Sequence, residues 1–215
     1  MPSPSFDDAF LISPDSIAQP PLAGEPVRLG VMASGSGSNF EAIAQAIESG
    51  ELKAQIVVVI YNNPDAKVAE RAARLGIPTQ LLDHRTFERR EALDEAIVGV
   101  LNAYDVSWVI MAGWMRRVTE RLLSAFPHRV LNIHPSLLPS FPGIRAVDQA
   151  LAAGVKIAGC TVHYVELIVD SGPIIAQAAV PVMAEDTVAT LQARIQVQEH
   201  RLFPLAIAIA LEQTG

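Results

Sequence analysis

The sequence predicts an α/β fold: a Rossmann-like, mostly parallel twisted sheet with helices on both faces, extended by a C-terminal antiparallel strand pair and a long final helix. Three observations carry this expectation. Short apolar, β-branched runs alternate with helical patterns from Val27 to about Ile133. Glycines stand where helical patterns stop, at Gly50 and Gly76. After Gly159 the order changes to two strand-like runs followed by one uninterrupted helical pattern.

Taken in order, Val27 to Ala33 reads as the first strand and Phe40 to Ser49 as the helix that follows. Gln55 to Tyr61 is β-branched enough to be a strand buried on both faces. Asp65 to Leu75 reads as helix, Thr79 to Leu82 as a short strand and Thr86 to Ala103 as a long helix. Val106 to Ala112 and Arg129 to Ile133 are strands, with a short helix from Thr119 to Phe126 between them. Gly159 to Glu166 and Pro173 to Pro181 form the late strand pair, turning at Asp170-Ser171-Gly172. The last helix spans about Thr187 to Glu212, with Pro204 expected to bend it.

Half of the 215 residues are apolar and 18% are charged, a globular composition. Residues 27–215 are expected to form one domain, preceded by a disordered leader, Met1 to Pro26, which holds six of the 15 prolines. The longest apolar runs, such as Ile56 to Tyr61, fall far short of the roughly 20 residues that cross a bilayer, so no membrane span is expected. A formal charge of −7 argues against a nucleic-acid partner, since phosphate backbones attract basic faces. A single cysteine, Cys160, excludes an internal disulfide and fits a reducing, cytoplasmic setting. No His and carboxylate spacing suggests a metal. The expected partners are small molecules, and the chain is expected to be a monomer or homodimer.

Ser34-Gly35-Ser36-Gly37-Ser38-Asn39 joins the first strand to the first helix. It reads either as a well-capped turn, with Ser38 and Glu41 as a capping box, or as an anion site at a helix N-terminus. Its spacing matches neither the dinucleotide fingerprint nor the P-loop. Asn132 and His134 stand two apart at a strand end, on one face, where open α/β sheets bind ligands. An amide donor beside an imidazole suits a reaction that develops an oxyanion and moves a proton, although a lone histidine also serves as a structural residue. His163, inside a strand, reads as structural, and His84, His128 and His200 are assigned no chemistry. Asp170 reads as a turn former, and spacing alone does not place it beside His134.

Together these segments, with Met111-Ala112-Gly113-Trp114-Met115-Arg116, Asn132 to Pro139, Val169 to Pro173 and Gln196 to His200, resemble the formyl-tetrahydrofolate-dependent formyltransferase family over about Val27 to Leu211. The loop at Ser34 to Asn39 and the wording His134 to Pro139 are most similar to members that formylate 5-phosphoribosylglycinamide in de novo purine biosynthesis. The resemblance implies 10-formyltetrahydrofolate as co-substrate and Asn132, His134 and Asp170 as the catalytic trio. It implies that Gly37, Ser38 and Asn39 hold the ribonucleotide phosphate and that Glu199 meets the glycinamide end. Arg90, Met115, Arg116, Arg117, Val118 and Asn132 fall on the folate side, under a closing loop at Val165 to Val169. Two departures stand out: Leu167-Ile168 is more apolar than the acidic pattern of relatives, and Arg145 replaces a usual histidine. Alternatives are a formyl-tetrahydrofolate hydrolase and a non-catalytic nucleotide-binding module. The second lacks an acidic ribose ligand after the second strand, where Asn62 and Asn63 stand.

Overall fold

Apolar runs such as Ile56 to Ile60 have no polar side to turn to water, so the strands that carry them are buried on both faces. The computed structural model describes residues 11–14 and 25–213. Its strands are β1 (Leu11–Ser13), β2 (Val27–Ala33), β3 (Ala54–Tyr61), β4 (Thr79–Leu81), β5 (Trp108–Met111), β6 (Val130–His134), β7 (Ile157–Tyr164) and β8 (Ile174–Pro181). The helices are α1 (Ser38–Glu48), α2 (Val68–Arg74), α3 (Arg90–Ala103), α4 (Glu120–Ala125), α5 (Ala146–Ala152) and α6 (Val188–Glu212).

The strands form one eight-stranded sheet in the order β1-β8-β7-β6-β5-β2-β3-β4. Pairing is parallel from β6 through β5, β2 and β3 to β4, and antiparallel from β6 through β7 and β8 to β1. Successive side chains of β2 leave by opposite faces. Val31 joins a core beneath α1, α2, α5 and α6, and Met32 joins a second core beneath α3 and α4. Gly30 lets α3 approach, because a Cβ there would lie 2.4 Å from Leu101 Cδ2. The chain leaves β2 toward β3 and later returns to β5 on the other side. That reversal opens a crevice past the carboxyl ends of β2, β5 and β6.

The expected architecture is present, with local corrections. Of the leader expected to be disordered, residues 1–10 and 15–24 lie outside the described residues. Leu11–Ser13, however, pairs with Gln177 to Ala179 and adds an edge strand. Three residues carry too little periodic pattern to announce a strand; the unpaired edge of β8 decides it. The helix α5 was not anticipated. Helix α3 starts at Arg90 rather than Thr86, because Asp83 accepts from the Arg85 N–H and closes a separate 3₁₀ turn at His84–Thr86. The expected Ser38/Glu41 capping box is absent: Gly37 is the N-cap of α1, and Glu41 pairs instead with Arg71 and Arg74. A capping box does start α6, between Thr187 and Thr190, and that helix continues through Pro204. Among the described residues no helix is long and apolar enough to cross a membrane.

Candidate active site

A cleft of about 660 Å³ lies over the crevice, lined by the loops that follow β2, β5 and β6 and by one face of α6. Its first wall is the glycine loop. Gly37 has φ +75°, and a Cβ there would stand 2.6 Å from Val68 Cγ2, so only glycine fits this close approach to α2. The Val68 N–H donates to Gly35 O at 3.2 Å and Arg71 Nε donates to Ser36 O at 2.8 Å, which fixes the loop from outside. Its inner face, and the free N–H groups that begin α1, are left toward the cleft. Gln196 Nε2 donates to Ser38 Oγ at 2.9 Å, and Asn39 Nδ2 donates to Glu199 Oε2 at 2.9 Å. Glu199 is buried, and that burial raises its pKa against the lowering effect of the Asn39 bond.

The second wall follows β5. Met115 N–H donates to Ser34 Oγ at 2.8 Å, tying the β5 loop to the β2 loop. Met115, Arg116, Arg117 and Val118 line the cleft. The buried Asp94 of α3 accepts the Thr119 N–H at 2.5 Å and anchors this wall. Burial raises the Asp94 pKa, opposed by the Thr119 hydrogen bonds and by the charge of Arg90. Arg90 itself is exposed at the start of α3, one helical turn before Asp94, and does not line the cleft.

Between the walls lies a cluster of polar groups. Asn132 and His134 sit on one face at the end of β6, as their spacing requires. Asp170, in a left-handed conformation (φ 55°), carries its carboxylate back from the β7–β8 connection. Its Oδ2 accepts the Gly143 N–H at 2.7 Å and stands 3.4 Å from His134 Nδ1, while its Oδ1 stands 3.7 Å from His163 Nε2. Burial pushes the Asp170 carboxyl upward, but the Gly143 N–H and the charge of His134 hold it below the usual carboxylate range. His134 Nε2 lies 2.9 Å from Phe141 O; a carbonyl only accepts, so that nitrogen carries a proton. The ring therefore has an oxygen acceptor opposite each nitrogen.

The fold thus gathers Asn132, His134, Asp170, Gly37, Ser38, Asn39, Glu199, Met115, Arg116, Arg117 and Val118 around one cleft, and leaves Arg90 outside its lining. Leu167 and Ile168 are exposed, and Leu167 lines the rim. Arg145 is the left-handed N-cap of α5, lines the cleft and pairs with Asp148. Ser34 and Gln196 fall within quoted motifs but carry no role in the sequence reading, and His163 reads there as structural. Their partners are up to 158 residues away, so only strand register and helix packing reveal them. Among the described residues no group of three or more His, Cys, Asp or Glu side chains could hold a metal ion.

Comparison with known proteins agrees with this fold. Residues 27–207 match the family model described as formyl transferase. The phosphoribosylglycinamide formyltransferase of Bacillus subtilis (strain 168) is 43% identical over 180 residues, covering 84% of this chain and 92% of that protein. The human trifunctional purine biosynthetic protein adenosine-3 is 42% identical over 187 residues, 87% of this chain but 18% of that longer protein. A crystal structure of glycinamide ribonucleotide transformylase 1 from Symbiobacterium toebii superposes with a TM-score of 0.84 at 50% identity, over 86% of this chain and 87% of that one. With the family model spanning nearly the whole sheet and the cleft it carries, the chain belongs to the formyl transferase family.

Proposed function

We propose that this enzyme transfers the formyl group of 10-formyltetrahydrofolate to the amine of 5-phosphoribosylglycinamide. The observation that carries the reading is the central cluster, with Asn132, His134 and Asp170 converging in one cleft between a glycine-loop wall and a β5-loop wall. The glycine-loop end suits a phosphate: Gly37, Ser38 and Asn39 surround the start of α1, where unpaired N–H groups and the helix dipole favour an anion. Glu199 then meets the glycinamide amine. The folate lies along Met115, Arg116, Arg117 and Val118, with its glutamate end toward the two arginines. Asn132 faces the formyl group.

In this mechanism the substrate amine attacks the formyl carbon and the carbonyl oxygen becomes an oxyanion. Asn132 donates an N–H to it, and His134, protonated, donates a second hydrogen bond. His134 reaches this role by turning its Nε2–H from Phe141 O to the oxyanion. Asp170 Oδ2, 3.4 Å from His134 Nδ1, steadies the ring with a negative charge on the side away from the oxyanion. Collapse of the tetrahedral species breaks the bond from the formyl carbon to folate N10. The amine loses one proton and N10 gains one, so the transfer balances with no other reactant and invokes no metal.

The test is folate release followed by absorbance, with 10-formyltetrahydrofolate present and the ribonucleotide added or withheld. Release that requires the ribonucleotide is the expected outcome. Release at an equal rate without it would identify water as the acceptor and overturn the proposal.

A further inference from the structure

We infer that His163 is a positioning residue for this reaction, holding the Asn132 amide in the one orientation that offers an N–H, rather than a carbonyl oxygen, to the developing oxyanion. The inference rests on the role given to Asn132 above. His163 stands directly across the antiparallel β6–β7 ladder from Asn132, so the two side chains share a face. The pairing of β7 with β8 is irregular between Val162 and His163, a local break of the kind that re-aims a side chain. The ring is 2% exposed and buried against the reaction centre.

The hydrogen-bond roles follow from the partners. His163 Nδ1 lies 2.7 Å from Tyr164 O, a backbone carbonyl that only accepts, so Nδ1 bears the proton. In the neutral ring Nε2 then carries a lone pair. Asn132 Nδ2 stands 3.2 Å from it and donates. Asp170 Oδ1, at 3.7 Å, is beyond hydrogen-bond reach of the same nitrogen. An asparagine amide can exchange its two ends by a half turn. Here the exchanged form would oppose Oδ1 to the ring lone pair, two acceptors in a buried site, and is disfavoured. One Asn132 N–H is thereby committed to His163, and the second remains for the oxyanion. His163 touches neither substrate nor leaving group in this account, and acts through Asn132.

The experiment measures kcat and both KM values for His163→Leu, His163→Gln and His163→Asn, each with Asn132 intact and in an Asn132→Ala background. The longer glutamine amide brings an acceptor near the Nε2 position, whereas asparagine reaches only the Nδ1 position. With Asn132 present, His163→Leu and His163→Asn should lower kcat by about 10- to 100-fold, the scale of a misplaced catalytic group. Both KM values should stay within about two-fold. His163→Gln should recover most of the rate. In the Asn132→Ala background all three should change kcat by less than about two-fold, because the group they position is gone. If the leucine variant does not fold, as judged by circular dichroism, the glutamine and asparagine pair carries the same comparison. Equal losses in both backgrounds, or full activity of His163→Asn, would overturn the inference. A wild-type enzyme that formylates no ribonucleotide would instead sink the reaction itself, so the two failures are distinguishable.

Discussion

Burial pushes both buried carboxyls of the cleft, Asp170 and Glu199, upward, yet their net shifts are opposite. Asp170 is held low because the Gly143 N–H and the charge of His134 face it; Glu199 is raised because desolvation outweighs its one Asn39 bond. An acid raised in the folded state costs stability once it ionises. That cost is absent below the ordinary glutamate value of 4.5 and grows as pH rises through the raised folded value. Glu199→Gln keeps the Asn39 bond and removes the charge, so its melting temperature should exceed wild type at neutral pH and converge with it in acid. In the proposed binding mode the same substitution weakens the contact to the substrate amine, and the ribonucleotide KM should rise on the order of 10- to 100-fold. Equal melting temperatures at pH 8 would remove the burial argument. At the oxyanion, Asn132→Ala and His134→Ala should each lower kcat by about 100- to 1,000-fold with the fold intact. Near-normal turnover by either, in a stopped-flow or steady-state assay, would end its assignment.

At the scale of elements, each wall of the cleft is fastened by a different helix. Gly37 in its left-handed conformation, packed on Val68, holds the glycine-loop wall; Asp94 of α3 holds the β5 wall through Thr119. These fastenings make contrasting predictions. Gly37→Ala meets a left-handed penalty of about 1–2 kcal/mol together with the Val68 contact, and should raise the ribonucleotide KM by about tenfold with little change for folate. Asp94→Ala strands a buried N–H at a cost of about 1–3 kcal/mol and should raise the folate KM instead. Substrate titrations of the two variants read the difference directly. If both variants weakened the same substrate, the division of the cleft into two ends would be wrong.

For the whole molecule, the parallel half of the sheet brings β2, β5 and β6 to one edge, and the antiparallel half returns Asp170 and His163 to meet them. The outermost strand, β1, extends that antiparallel half without reaching the cleft. Removing residues 1–14 should therefore leave kcat unchanged. It should lower the melting temperature by about 2–4 °C, the shift that about 1 kcal/mol produces in a domain of this size. A large loss of kcat would mean that the edge strand supports the reaction centre.

The sequence by itself determined the alternation of strand and helix, the face shared by Asn132 and His134, and the glycine loop at the head of α1. Each is encoded locally, in hydrophobic period, in spacing of two along a strand, or in a residue that tolerates positive φ. Family motifs extended this to Asp170 and Glu199, whose places in the cleft no spacing reveals. Only the tertiary structure decided that Glu41 leaves its capping role for Arg71, that Leu11–Ser13 joins the sheet, and that His163 faces Asn132. Those outcomes depend on which distant edge or side chain is nearby once the chain has folded. Strand register and helix packing set that proximity, and no local pattern records it.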